Sequence, residues 1–119
     1  MNVELPAATI NDYPRFAYRG MMLDVSRHFF PVDSVKTYLD ILALHNQNTF
    51  HWHLSDDQGW RIEIKKYPEL TQIGSKRKET VIGHNSGTYD GKEYGGFYTQ
   101  DQIRDVINYA AERHITIIP

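Results

Sequence analysis

The run Asn48-Thr49-Phe50-His51-Trp52-His53-Leu54 is apolar and aromatic over the length of a strand, then breaks into Ser55-Asp56-Asp57-Gln58-Gly59-Trp60-Arg61. Carboxylates, imidazoles and indoles gathered where a strand ends are the groups that hold a polar, ring-shaped ligand. An earlier segment repeats the plan. Arg19-Gly20-Met21-Met22-Leu23-Asp24-Val25-Ser26-Arg27-His28-Phe29-Phe30 also runs from apolar residues into a charged cluster. Two strands that both end in polar chemistry point to one face of an α/β enzyme.

Each of these residues also has a plainer reading. Arg27 suits a strand-end ion pair with Asp24. Asp57 suits a loop cap, because carboxylates after strands commonly accept turn N–H groups. His51 and His53 share one face of a strand and, with Asp56, have the chemistry of a divalent-metal site. No third His stands at a matching spacing and the chain has no cysteine, so satisfied core histidines are the alternative. His28 and Trp60 read as packing residues that shape the rim. The Lys76-Arg77-Lys78 run reads as a solvated face, and the Gly- and Tyr-containing stretch after it as a hairpin.

The elements that must position these groups alternate strand and helix. A first strand is expected over Phe16 to Val25, opened by the Tyr13-Pro14 break. Pro31-Val32-Asp33-Ser34 is helix-start chemistry, with Asp33 or Ser34 able to accept the free N–H groups of the first turn. Val35, Leu39, Leu42 and Ala43 then recur at helical spacing, widened by Tyr38 and Ile41, until His45-Asn46-Gln47 ends the helix. Thr49 to Leu54 is the second strand, and Trp60 to Ile64 a short extended piece. From about Gly74 to Gly96 the period is lost and glycines punctuate the chain; a loop this long is functional or contains a small hairpin. Thr99-Gln100-Asp101-Gln102 has capping-box spacing. Ile103, Val106, Ile107 and Ala110 form the stripe of that helix, which ends near Arg113-His114. Ile115-Thr116-Ile117-Ile118 reads as a parallel strand buried on both sides. The order β-α-β-(long loop)-α-β predicts parallel strands, with all carboxyl ends on one face.

Composition sets the outer limits. At 119 residues the chain is one domain at most, able to bury roughly two-thirds of its unfolded surface. A formal charge of −2 argues against nucleic acid or an anionic membrane as partner. With no cysteine there are no disulfides, and no apolar run is long enough to span a membrane.

Three segments carry a specific resemblance. Arg19-Gly-Met-Met-Leu-Asp-Val-Ser-Arg-His-Phe-Phe-Pro31, His51-Trp-His-Leu-Ser-Asp-Asp-Gln-Gly-Trp-Arg61 and Gly95-Gly-Phe-Tyr-Thr-Gln100 closely resemble glycoside hydrolase family 20, the β-N-acetylhexosaminidases, in order and spacing. The resemblance covers roughly Tyr13 to Pro119, with residues 1–12 as a lead-in. It implies a parallel β-α-β-α-β portion of a (β/α)8 TIM barrel, truncated after about three strands. It implies that Arg27 clamps the 3- and 4-hydroxyls of a terminal sugar, with Asp24 either a second sugar contact or the carboxylate holding Arg27. It implies that Asp56 orients a His that contacts the acid/base Glu. That His, the Glu and its partner Asp are expected beyond Pro119, so no catalytic residue is expected in this chain. The implied partner is a carbohydrate, no cofactor is implied, and family members of this bacterial type are commonly exported.

Three function classes follow: part of an exo-acting glycosidase, a metal-dependent barrel hydrolase using His51, His53 and Asp56, and a non-catalytic sugar-binding or structural module. A three-strand slice leaves two open sheet edges, which predicts self-association of the isolated chain.

Overall fold

The computed structural model describes residues 6–84 and 86–119. Of the lead-in assigned to residues 1–12, the first five residues lie outside the described residues, and 6–12 are exposed without regular structure. Ten elements follow: β1 (Gly20–Asp24), α1 (Val32–Leu44), β2 (Thr49–His53), β3 (Ser55–Asp56), β4 (Gly59–Trp60), α2 (Glu69–Gln72), β5 (Lys76–Arg77), β6 (Tyr94–Gly95), α3 (Gln100–Ala111) and β7 (Thr116–Ile118).

The main sheet has the order β1-β2-β7 with every pairing parallel. Its register sets Gly20 beside Thr49 and Asp24 beside His53, so the first two strands end level. Period-2 alternation divides β2 between two environments. Phe50 and Trp52 are fully buried among Val35, Leu39 and Leu42 of α1 and Val106 and Ala110 of α3. His51 and His53 fall on the other face, with Met22 and Asp24 as their register neighbours.

The first strand is shorter than Phe16 to Val25. Pairing starts only where Gly20 meets Thr49, and the chain before it is held by side chains: Arg19 donates to Phe16 O (2.6 Å) and Asn46 O (2.7 Å). Phe16 and Tyr18 are exposed. Neither Asp33 nor Ser34 caps α1. The N-cap is Pro31, whose carbonyl accepts Ser34 N and Val35 N, and Asp33 sits inside the first turn. Asn46, at φ 55°, turns the chain out of α1, a conformation that Asn tolerates.

The capping box of α3 is formed in both directions: Thr99 Oγ1 accepts Gln102 N (3.2 Å) and Gln102 Oε1 accepts Thr99 N (2.9 Å). Ile107 and Ile41, expected in the buried stripes, are exposed, so each helix buries a narrower face. β7 is not buried on both sides either. Ile117 packs against the core, whereas Thr116 and Ile118, register partners of Thr49 and His51, lie on the opposite face and are exposed. The long loop contains a hairpin, β5 pairing with β6 and Val81 bridging Tyr89. Total accessible surface is 8970 Å², against about 6,700 Å² for a compact monomer of this mass. Exposed residues 6–18 and the exposed long loop contribute to the difference.

Candidate active site

The level ends of β1 and β2 bring the polar clusters together. Asp24, the last residue of β1, folds the chain back on itself: its Oδ1 accepts Ser26 N (2.9 Å) and Arg27 N (3.0 Å), and its Oδ2 lies 3.1 Å from Arg27 Nη1. Arg27 Nη1 also pairs closely with Asp56 Oδ2. That oxygen is in turn 2.9 Å from His53 Nε2, and Asp56 Oδ1 accepts Asp57 N at 2.9 Å. The turn-capping role expected of Asp57 therefore belongs to Asp56, whose carboxylate points back into the short β3–β4 hairpin.

Charge follows this geometry. The Asp57 amide, the His53 ring and the Arg27 guanidinium hold the Asp56 carboxyl down to about 2. Partial burial would lower Arg27, but Asp24 and Asp56 more than offset it, and the guanidinium stands above its usual value. Arg27 keeps about half of its side chain (49%) in solvent, so a cation gripped by two carboxylates still presents donors outward. That combination suits a neutral polyol, whose vicinal hydroxyls fit a planar fork.

The metal reading fares differently. Among the described residues no group of three His, Cys, Asp or Glu is arranged to hold an ion. His51 lies edge-on to His53 at 5.7 Å between ring centroids, but Arg27 occupies the flank of His53 and Asp56 where a cation would sit. His28 packs edge-on against Phe30 (4.8 Å between ring centroids) and tilted against Tyr94 (5.4 Å). Trp60 is half-buried, with its Nε1 donating to Ile62 O (2.7 Å).

Two arginines behind the cluster escape a reading from sequence. Arg61 is fully buried, and its guanidinium donates to four carbonyls: Val25 (3.0 Å), Ser26 (2.8 Å), Ser75 (2.6 Å) and Gly96 (2.9 Å). Burial and the nearby charge of Arg77 lower its pKa. The only local hint is Gly59, where an added Cβ would lie 2.4 Å from the Arg61 guanidinium carbon. Arg77 is not part of a solvated face. It lies over the Tyr94 ring at 4.5 Å and donates to Arg27 O (2.9 Å) and Thr80 Oγ1 (3.0 Å), while Lys76 and Lys78 are exposed.

Parallel strands crossing through outer helices, with carboxylates, an imidazole and a guanidinium at their carboxyl ends, define a segment of a (β/α)8 enzyme barrel. A family model described as glycosyl hydrolase family 20, catalytic domain, matches residues 16–119, and the chain belongs to that family. It is 53% identical over 115 residues to a β-hexosaminidase of Porphyromonas gingivalis, covering 97% of this chain and 14% of that protein. A β-hexosaminidase of Vibrio furnissii is 53% identical over 118 residues, with 99% and 19% covered. Among solved structures, the exo β-N-acetylglucosaminidase of Vibrio harveyi in complex with N-acetylglucosamine superposes with a TM-score of 0.80 at 55% identity, covering 91% of this chain and 17% of that one. The chain thus spans less than a quarter of the length of these relatives. No helix among the described residues is long and apolar enough to cross a membrane.

Proposed function

We propose that this chain supplies the sugar-gripping part of an exo-acting β-N-acetylhexosaminidase barrel, which releases terminal β-linked N-acetylglucosamine or N-acetylgalactosamine from glycans. The observation that carries the reading is the half-exposed Arg27 fork, fixed at one nitrogen by Asp24 and Asp56. In this reading Arg27 donates to the 3- and 4-hydroxyls of the terminal sugar. Asp24 holds the clamp: its Oδ1 is filled by Ser26 N and Arg27 N, while its Oδ2 accepts Arg27 Nη1 and keeps a lone pair that a sugar hydroxyl can use. Asp56 supports the acid/base from behind: its Oδ1 accepts one bond from Asp57 and keeps a lone pair for a further N–H donor.

The reaction is retaining and substrate-assisted. A Glu protonates the leaving oxygen while the sugar's 2-acetamido carbonyl attacks the anomeric carbon, and an Asp orients the acetamide. That pair belongs outside residues 1–119. We further propose, from the resemblance to the bacterial members of this family, that the parent enzyme is exported and acts on glycans outside the cytoplasm.

The test is release of nitrophenol from an aryl β-N-acetylglucosaminide. The full-length protein carrying this segment turns it over, Arg27→Ala lowers kcat/KM at least about 100-fold through the loss of two charge-assisted hydrogen bonds, and residues 1–119 alone give none. Turnover by residues 1–119 that vanishes on Arg27→Ala would overturn the assignment of the acid/base pair.

A further inference from the structure

The turn that carries Arg27 is gripped from behind by side chains, carbonyl after carbonyl. Arg61 holds Val25 O and Ser26 O. Arg77 Nη1 holds Arg27 O at 2.9 Å. The Tyr94 hydroxyl accepts Phe29 N (2.9 Å) and donates to Phe29 O (3.2 Å), and the Tyr98 hydroxyl donates to Phe30 O at 2.5 Å. Among the described residues no strand pairs with this stretch, which lies between β1 and α1, so these side chains replace a ladder. Arg77 and Tyr94 are themselves locked together by the ring contact at 4.5 Å and by the pairing of β5 with β6.

From this we infer that Arg77, braced by Tyr94, is a positioning residue for the sugar clamp: it fixes the backbone of Arg27 and so sets where the exposed guanidinium points. The inference rests on Arg27 acting as the clamp. The Arg27 side chain is anchored at its tip by Asp24 and Asp56, yet it is half-exposed and has little packing to select a rotamer. A fork that must meet two hydroxyls tolerates only sub-ångström error, so control of its root matters as much as control of its tip. The long loop that delivers Arg77 then acts on the substrate through Arg27 without touching it.

The experiment is steady-state kinetics on the aryl β-N-acetylglucosaminide with the full-length protein, using Arg77→Met, Tyr94→Phe, Arg27→Met and the Arg77→Met/Arg27→Met pair. Arg77→Met keeps a chain over Tyr94 and removes the donors. Lys78→Ala, an exposed change on the same hairpin, is the control and leaves both constants unchanged. The expected result is a KM about tenfold higher for Arg77→Met with kcat within about twofold, the pattern of lost uniform binding. A smaller KM rise is expected for Tyr94→Phe. In the Arg27→Met background, Arg77→Met adds no further change, because its effect runs through Arg27.

A fall in kcat at unchanged KM would mean only a reduced folded fraction and would overturn the inference. So would effects that multiply in the pair. If Arg27→Met leaves kcat/KM unchanged, the clamp reading itself fails and the inference falls with it. Multiplicative effects beside an intact Arg27 phenotype would remove the inference alone.

Discussion

Arg27 Nη1 and His53 Nε2 stand 3.1 Å apart, and both lie against the same oxygen, Asp56 Oδ2. One ring nitrogen cannot donate to the carboxylate and accept from the guanidinium at once. The carboxylate is the stronger acceptor, so Nε2 carries a proton directed at Asp56, and Arg27 and His53 are two donors arranged around one anion. The level ends of β1 and β2 make this possible, since Asp24 and His53 are register partners.

The tautomer is therefore fixed, with Nε2 protonated and Nδ1 free when the ring is neutral. Nitrogen NMR of the labelled ring should show a protonated Nε2 coupled to its hydrogen. His53→Ala should also raise the Asp56 carboxyl, because a hydrogen bond that stabilises the charged form is gone. An unchanged Asp56 titration in that variant would contradict the arrangement.

Acid should act on this cluster in a defined window. Asp56 titrates at about 2 in the folded chain, against roughly 4 for an unfolded aspartate. The folded state binds this proton less readily than the unfolded one. The stabilisation is thus complete above about pH 4 and is lost as the pH falls through about 2. A carbon NMR titration of the Asp56 carboxyl with a midpoint near 4 would show that the cluster does not hold.

Arg61 should be among the costliest positions in the chain. Arg61→Met takes the side-chain donor from four buried or half-buried carbonyls, of which only Ser75 O keeps another, Gly96 N at 3.3 Å, a loss of at least about 3 kcal/mol in denaturant unfolding. Gly59→Ala drives a methyl into the same guanidinium and should cost about 1–3 kcal/mol. In the Arg61→Met background the Gly59 penalty should shrink, because the flexible thioether can move aside.

The start of α3 should be sensitive to a small change. Thr99→Ala removes one half of a capping box formed in both directions and should lower stability by about 1 kcal/mol. Thr99→Ser should recover most of it. A denaturation midpoint that does not move would imply that packing alone defines this helix end.

Residues 1–119 expressed alone should self-associate. Both outer edges of the three-strand sheet are unpaired among the described residues, and Met21, Met22 and Ile118 are exposed along them. Sedimentation velocity should report dimers or larger species. A monomer with a cooperative unfolding transition well above room temperature would argue against this.

The strands, the two long helices and the α3 cap were legible because each rests on local pattern: period 2 in Phe50 and Trp52, period 3.6 in Val35, Leu39 and Leu42, and spacing in Thr99 and Gln102. The gathering of Asp24, Arg27, His53 and Asp56 was legible only through the parallel order, which puts both strand ends on one face. Other features depend on partners far along the chain. Arg61 finds its carbonyls at separations of 14, 35 and 36 residues, and nothing in its neighbourhood other than Gly59 signals burial. Arg77 sits in a basic triplet that reads as solvent-facing, yet pairing of β5 with β6 turns it alone inward. The four-residue α2 is too short to show a period. β7 has the composition of a doubly covered strand, but cover comes from neighbours, and only the face that carries Ile117 packs on the core.

One nitrogen of Arg61 accepts responsibility for both ends of the long excursion: Nη1 donates to Ser75 O (2.6 Å) and to Gly96 O (2.9 Å). The twenty residues between them leave and return at a single atom, which fixes the base of the loop whatever its length. Beyond Thr80, which accepts Arg77 Nε, the loop can lengthen at little entropic cost, since doubling a closed loop adds only about 0.6 kcal/mol. Closing both ends of the excursion on one buried guanidinium thus separates the length of the loop from the register of the strands that carry Asp24 and His53.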